Sequence, residues 1–291
     1  MAPAADPDSE TPFERIHVCP IAGALGAEVG GVDLAAELDN RTVDEIHRAF
    51  LKHHVLFFHD QHFTPQSQAA FGRRFGPFNR HPYVKPLPEA PDVFAIVKEP
   101  DDLHHFGNGW HTDLSYTEKP ALGTMLYALE IPPYGGDTLF TNLHLAYEAL
   151  SEGMRTMLAG LTGVYSNART YGPAAERFKT GVKAMSVTQQ AEVNRVEHPL
   201  VRTHPETGRK SLYFSELHMA GIKDMKDEEA APILSVLKQH AARPEFVCRL
   251  RWRKGALAFW DNRCTAHYAI DDFQGMRRAM HRVTIEGDRP F

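Results

Sequence analysis

The stretch Phe246-Val247-Cys248-Arg249-Leu250-Arg251-Trp252-Arg253, with Ala256-Leu257-Ala258-Phe259-Trp260 just after it, sets the fold class. Phe246, Cys248, Leu250 and Trp252 alternate with Val247, Arg249, Arg251 and Arg253, the period of a strand with one buried face. Ala256 to Trp260 is almost continuously apolar, as in a strand covered on both faces. Further on, Val283 and Ile285 alternate with Arg282, Thr284 and Glu286. Toward the N-terminus, Val18 to Leu34 is rich in glycine and small apolar residues and reads as short strands joined by turns. Thr42-Val43-Asp44-Glu45 reads as a capping box with Thr42 as the cap, opening a helix whose apolar stripe is Val43, Ile46, Phe50 and Leu51. Val55-Leu56-Phe57-Phe58 is a short strand, and Thr64-Pro65 opens a second helix that carries Phe71 and Phe75. Ser151 to Leu158 reads as a capped helix ending before Gly160, and Asp227 to Ala241 as a surface helix. Residues 81–109 read as an irregular loop, part of it an active-site lid. Residues 165–195 show no clean period and read as a second mobile segment. Many short strands with a few helices predict a mixed, mainly β, double-sheet jelly roll.

Composition bounds the function. A chain of 291 residues without an internal repeat or linker is expected to form one domain over 13–291. Met1 to Pro12 is small, polar and acidic, which reads as a disordered tail; it lacks the basic start and apolar core of a signal peptide. The net charge of −5 is spread without a basic block, which argues against a nucleic-acid surface. No run approaches the roughly 18 apolar residues of a helical membrane span. Three cysteines without a pattern fit a reducing cytoplasm, and Cys264 reads as a small buried residue.

The chemistry starts at Trp110-His111-Thr112-Asp113. On an extended chain His111 and Asp113 point to one face. A distant histidine can complete a facial set of two imidazoles and one carboxylate. Such a set leaves three positions open on an octahedral ion, which suits Fe(II) binding a co-substrate and O2. His267, at the end of Trp260-Asp261-Asn262-Arg263-Cys264-Thr265-Ala266-His267, is a candidate, but with 17 histidines in the chain its type alone does not single it out. Arg278 and Arg282 are four apart on a strand pattern and share a face with Met280 and Thr284. Two arginines on an inner face call for anionic partners, and the planar guanidinium suits a carboxylate.

Together with Gly135-Gly136-Asp137-Thr138-Leu139-Phe140, these motifs follow one another in an order and spacing that resembles the taurine/2,4-D dioxygenase family of Fe(II)- and 2-oxoglutarate-dependent oxygenases. The resemblance runs from about Val18 to Phe291 and implies a double-stranded β-helix core with flanking α-helices. It implies that His267 is the third iron ligand beside His111 and Asp113, and that Arg278 and Thr138 hold the distal carboxylate of 2-oxoglutarate. Arg282 matches an arginine that grips a substrate sulfonate. His81-Pro82-Tyr83 matches a substrate-contacting segment, which makes His81 and Tyr83 candidates. The family's pocket asparagine aligns with Gly107, beside Asn108, and its aromatic pocket residues align with Asn167 and His218, so a more polar pocket is expected. The implied reaction consumes O2 and 2-oxoglutarate, releases succinate and CO2, and hydroxylates a small organic anion of the sulfonate, alkyl sulfate or phenoxyalkanoate class, with loss of a leaving group where the carbon bears a heteroatom. Desaturation or oxidative decarboxylation of an amino-acid-like anion is the alternative outcome, and a non-catalytic ligand-binding jelly roll is a remoter one. Family members lacking the carboxylate leave room for halide, so Asp113 disfavours halogenation. The resemblance also implies a homo-oligomer, dimer or tetramer.

Overall fold

The computed structural model describes residues 12–79, 81, 84–102, 107–171 and 193–291. The elements follow in the order β1 (His17–Pro20), β2 (Ala27–Gly30), α1 (Asn40–His53), β3 (Val55–Phe58), α2 (Pro65–Arg73), β4 (Phe94–Lys98), β5 (Ala121–Glu130) and β6 (Thr138–Asn142). Then come α3 (Leu143–Glu148), α4 (Glu152–Ala159), β7 (Thr162–Ser166), α5 (Ala168–Tyr171), β8 (Arg195–Pro199), β9 (Val201–Thr203), β10 (Lys210–Leu212) and β11 (Met219–Ile222). The last part holds α6 (Asp227–Ala241), β12 (Val247–Leu250), β13 (Leu257–Asp261), β14 (Thr265–Ala269) and β15 (Arg278–Glu286).

The largest sheet has seven strands in the order β1-β2-β3-β13-β5-β15-β4. Alternation along its strands separates two cores. Leu56, Phe58, Met125, Tyr127, Leu257, Phe259, Val283 and Ile285 face outward and pack with Ile46, Ala49 and Phe50 of α1 and Ala69 and Phe71 of α2. Phe50 stacks on Phe259 with ring centroids 4.1 Å apart. The opposite face sends Val55, Phe57, Leu126, Ala128, Ala258, Trp260 and Met280 inward. They meet Phe140, Cys248, Leu250 and Trp252 from the facing sheet and the chain that follows it; that sheet is β12-β6-β14. The two sheets form a jelly roll whose hydrogen bonding, among the described residues, leaves them separate. A third core lies behind β14, where Ala266 packs with residues of α3, α6 and β7 to β11.

The jelly roll and its flanking helices agree with the sequence pattern, and the predicted face of Met280 and Thr284 against Val283 and Ile285 is the one observed. Three local expectations need correction. Asp39, not Thr42, caps α1: its carboxylate accepts the Thr42 N–H at 2.7 Å. Glu45 turns elsewhere, accepting the N–H groups of Glu14, Arg15 and Ile16 and so pinning the segment before β1. Phe75 lies past the end of α2, although it still meets Phe71 edge-on. Residues 81–109 are not wholly irregular, because β4 lies within them and pairs with β15. The proposed tail to residue 11, and residues 172–192 of the proposed mobile segment, lie outside the described residues. No described helix is long and apolar enough to cross a membrane.

Candidate active site

The site lies between the sheets, where His111 bridges β14: the His111 N–H donates to the His267 carbonyl at 3.0 Å and the His267 N–H returns to the His111 carbonyl at 2.9 Å. This pairing brings the two imidazoles together, with ring centroids 4.0 Å apart. His111 is thus a single bridge residue rather than part of a longer strand, yet Asp113 still points to the same place. Asp113 Oδ1 lies 3.8 Å from Nε2 of both His111 and His267. His111 Nδ1 donates to the Gly109 carbonyl at 2.8 Å, so its Nε2 keeps a lone pair for a ligand.

Residues the sequence reading did not single out hold the carboxylate. Thr124 of β5 donates its hydroxyl to Asp113 Oδ2 at 2.8 Å. Asn262 accepts the Asp113 N–H at 3.1 Å and donates to Thr124 Oγ1 at 3.0 Å. Asn262 also accepts the Trp260 indole N–H. The Trp-Asp-Asn-Arg motif is therefore scaffold for the carboxylate as well as the turn before His267. Alternation along β5 carried the signal for Thr124, which shares a face with Leu126 and Ala128. Nothing local to the sequence marked Asn262.

Electrostatics suit a cation. Burial works against an ionised Asp113, but the charge of Arg282 and the neighbouring His267 and His111 hold its pKa well below the ordinary carboxylate value. Burial, first of all, lowers the pKa of His111 and lowers that of His267 further, with His111 adding to the second. The pair is thus neutral, the form in which imidazole binds metal. Two neutral imidazoles and an anionic oxygen, all buried and within 4.8 Å of one another, fit an Fe(II) ion on its facial set.

Two chambers flank this triad, and His111 and Arg282 line both. The first is formed by Thr138, Trp252, Trp260, His267 and Arg278 with apolar neighbours. Arg278 is 3% exposed, and burial brings its pKa down to about 10 against the pull of Asp137. Thr138 Oγ1 accepts the Trp252 indole N–H at 2.9 Å, which leaves the threonine proton free to be donated. Gly135 and Gly136, at φ +76° and +69°, make the turn that delivers Thr138. A Cβ on Gly135 would strike Asp272, and one on Gly136 would crowd Phe273. Lys98, opposite Arg278 in the β4–β15 register, is 1% exposed, and its ammonium has no hydrogen-bond partner among the described residues. Its Nζ lies 5.0 Å from the centroid of the Phe273 ring, the ring that Arg278 also meets.

The second chamber is lined by His81, Phe94, Leu114, Tyr116, Tyr171 and His218, among others. His81 Nε2 lies 3.0 Å from the Tyr171 hydroxyl. His218 Nδ1 lies 2.9 Å from Ser115 Oγ, and burial, then His111, brings the His218 pKa down to about 3. Other expected pocket residues fall elsewhere. Asn108 is exposed and lines neither chamber, because Gly107, at φ +86°, takes the inward position against His111. Asn167 is buried behind the chamber, where its side chain accepts the Asn194 N–H at 2.8 Å. Tyr171, four residues on, supplies the aromatic surface, so the pocket is less polar than alignment implied. Tyr83 lies outside the described residues. Arg282 faces both chambers, and its guanidinium lies 2.8 Å from Asp113 Oδ1, an anionic partner the sequence did not indicate.

A jelly roll with two imidazoles and one carboxylate facing such paired chambers defines the class of 2-oxoglutarate-dependent non-haem iron dioxygenases. Residues 17–284 match the family described as taurine catabolism dioxygenase TauD, TfdA family, and the chain belongs to it. An alkylsulfatase of Acinetobacter baylyi is 33% identical over 96% of this chain and 87% of its own length. A 2,4-dichlorophenoxyacetate dioxygenase of Cupriavidus pinatubonensis, named as α-ketoglutarate-dependent, is 32% identical over 92% of this chain and 97% of its own. The crystal structure of a taurine dioxygenase from Burkholderia xenovorans superposes with TM-score 0.80 at 38% identity, covering 95% of this chain and 93% of that one.

Proposed function

We propose that this dioxygenase oxidises a small organic anion at an iron ion held by His111, Asp113 and His267. The observation that carries the reading is the pair of chambers on either side of one donor triad, with Arg278 in one and Arg282 shared by both. When bound, Fe(II) with 2-oxoglutarate and O2 supplies an oxidant that places oxygen on a substrate C–H carbon while 2-oxoglutarate leaves as succinate and CO2. The chain orients the parts and keeps water out. Arg278 and Thr138 bind the distal carboxylate of 2-oxoglutarate, and Lys98 adds charge beside them. Arg282 offers its guanidinium to the substrate anion, and His81 and His218 frame it. Phe94, Leu114, Tyr116 and Tyr171 cover the organic portion. The relatives named for alkyl sulfates and phenoxyalkanoates support an anion of the sulfate, sulfonate or phenoxyalkanoate class. Where the hydroxylated carbon carries oxygen, the product collapses to a carbonyl and releases sulfate or a phenol.

The test is succinate formation stimulated by a panel of alkyl sulfates, sulfonates and phenoxy acids, each beside its neutral ester or amide. The acids are expected to stimulate turnover and the neutral analogues to fail. Arg282→Ala should erase this preference. Because Arg282 also touches Asp113, Fe(II) binding is measured separately in that variant. Equal turnover of an acid and its neutral analogue by the wild type would overturn the organic-anion reading.

A further inference from the structure

A second set of metal-binding side chains is buried at the turn between β13 and β14. Cys264 is in that turn and fully buried, His54 caps the C-terminus of α1, and His144 is in α3. The donor atoms of the three lie within 4.8 Å of one another, the same criterion the iron set meets, and none of them belongs to that set. His144 Nδ1 donates to the Lys210 carbonyl at 2.8 Å. Its Nε2 is buried and has no hydrogen-bond partner among the described residues, and neither does His54 Nδ1. A backbone acceptor that fixes one ring nitrogen and leaves the other bare is the arrangement of a metal-binding imidazole. His54 also sits at φ +62°, a left-handed conformation uncommon for a side-chain-bearing residue.

The neighbouring groups are already satisfied. Asp261 Oδ1 accepts from the N–H and Nε of Arg263, and Oδ2 from Arg263 Nη2 and His204 Nε2. His204 Nδ1 takes the N–H groups of Glu206 and Thr207. Two bare imidazole nitrogens and one thiol remain. We propose that His54, His144 and Cys264 form a second metal site, with three protein ligands and a fourth position open, for a thiophilic divalent cation of the Zn(II) type. Two nitrogens and a thiolate suit that ion, and binding displaces the thiol proton to solvent. The Asp261 carboxylate beside the cluster offsets the ion's charge. Ligand contacts of about 2.0–2.3 Å require the three side chains to draw together around the ion. The ion would tie the end of α1 and the start of α3 to the turn that leads into β14 and His267.

Co(II) replaces Zn(II) and reports sulfur ligation through a near-ultraviolet thiolate-to-metal band, which the iron set, having no sulfur, cannot produce. The protein is stripped with a chelator and titrated with Co(II). The wild type is expected to take two equivalents and show the band. His111→Ala should take one equivalent and keep the full band, and Cys264→Ala should lose it. His144→Gln should weaken the Co(II) affinity of the sulfur site at least tenfold. No band in the wild type or in His111→Ala overturns the proposal, and those two proteins keep the cluster intact even if Cys264→Ala does not fold. A band that persists in Cys264→Ala belongs to Cys19 or Cys248 and also overturns it.

Discussion

At the scale of single residues the proposed function assigns some groups to an iron ion and others to anions. His111→Ala, Asp113→Ala and His267→Ala are each expected to abolish Fe(II)-dependent turnover. Each should also lose the weak visible charge-transfer band that Fe(II) and 2-oxoglutarate give without oxygen. Full turnover by any one of them removes that residue from the ligand set. Arg278 is buried against the rings of Trp252 and Phe273, with its guanidinium carbon 5.6 and 5.9 Å from their centroids. Removing one partner of a buried ionic pair costs about 3–5 kcal/mol. Arg278→Ala should therefore raise the KM for 2-oxoglutarate more than a hundredfold, and far more than the KM for the prime substrate. Arg278→Lys should recover little, because an ammonium lacks the planar fork. An unchanged KM for 2-oxoglutarate would refute this assignment.

At the scale of elements, Glu206 links α1 to the turn that sets up His267. Glu206 accepts a contact from His47 of α1 at 2.8 Å and also pairs with the buried Arg263. Burial pushes the Glu206 pKa up, but the His47 hydrogen bond and the Arg263 charge pull harder and bring it down to about 2 from 4.5. A depressed carboxylate stabilises the fold above its unfolded pKa and loses that contribution as pH falls toward its folded value. The stability advantage of wild type over Glu206→Gln should be constant above pH 4.5 and should vanish as pH falls to about 2, measured by denaturant unfolding at each pH. An advantage that does not change with pH would mean that the carboxylate's charge is not what matters. The strands that frame the site were legible from their patterns: β12 and β15 alternate, β13 is a continuous apolar run, and Arg278 faces inward as its register with Met280 implied. The Thr42–Glu45 spacing imitates a capping box and masks Asp39 as the cap, while Glu45 is spent on the backbone of residues 14–16. That His111, Asp113 and His267 come together was legible because motif order constrains them. The substrate chamber was not, since Tyr116, Tyr171 and His218 converge from distant segments, and no local period records which loop residue turns inward.

At the scale of the molecule, one question is whether residues 13–291 unfold as a unit. The seven-stranded sheet joins β1 to β5 with β13 and β15, so strands from the two ends of the chain are interleaved in it. Its inner face shares a core with the facing sheet, and its outer face shares one with α1 and α2. Among the described residues these two cores are shared between both ends of the chain, and the third core, built mainly from residues 139–247, is joined to them through Ala266 of β14. The site crosses the same divide. His267 is on β14 of the smaller sheet, whereas Arg278 and Arg282 are on β15 of the larger. On the proposed assignment, a metal ion with a 2-oxoglutarate analogue needs both sheets folded together. Ligand at a hundred times its dissociation constant stabilises the native state by about 2.7 kcal/mol. Heating should give a single calorimetric transition whose van't Hoff and calorimetric enthalpies agree. Mn(II) with N-oxalylglycine, which occupy a related structure of 31% identity, should move that whole transition upward. In His267→Ala the shift should disappear. Two resolved transitions, with only one moved by the ligands, would divide the chain into separate folding units and overturn the single-domain reading.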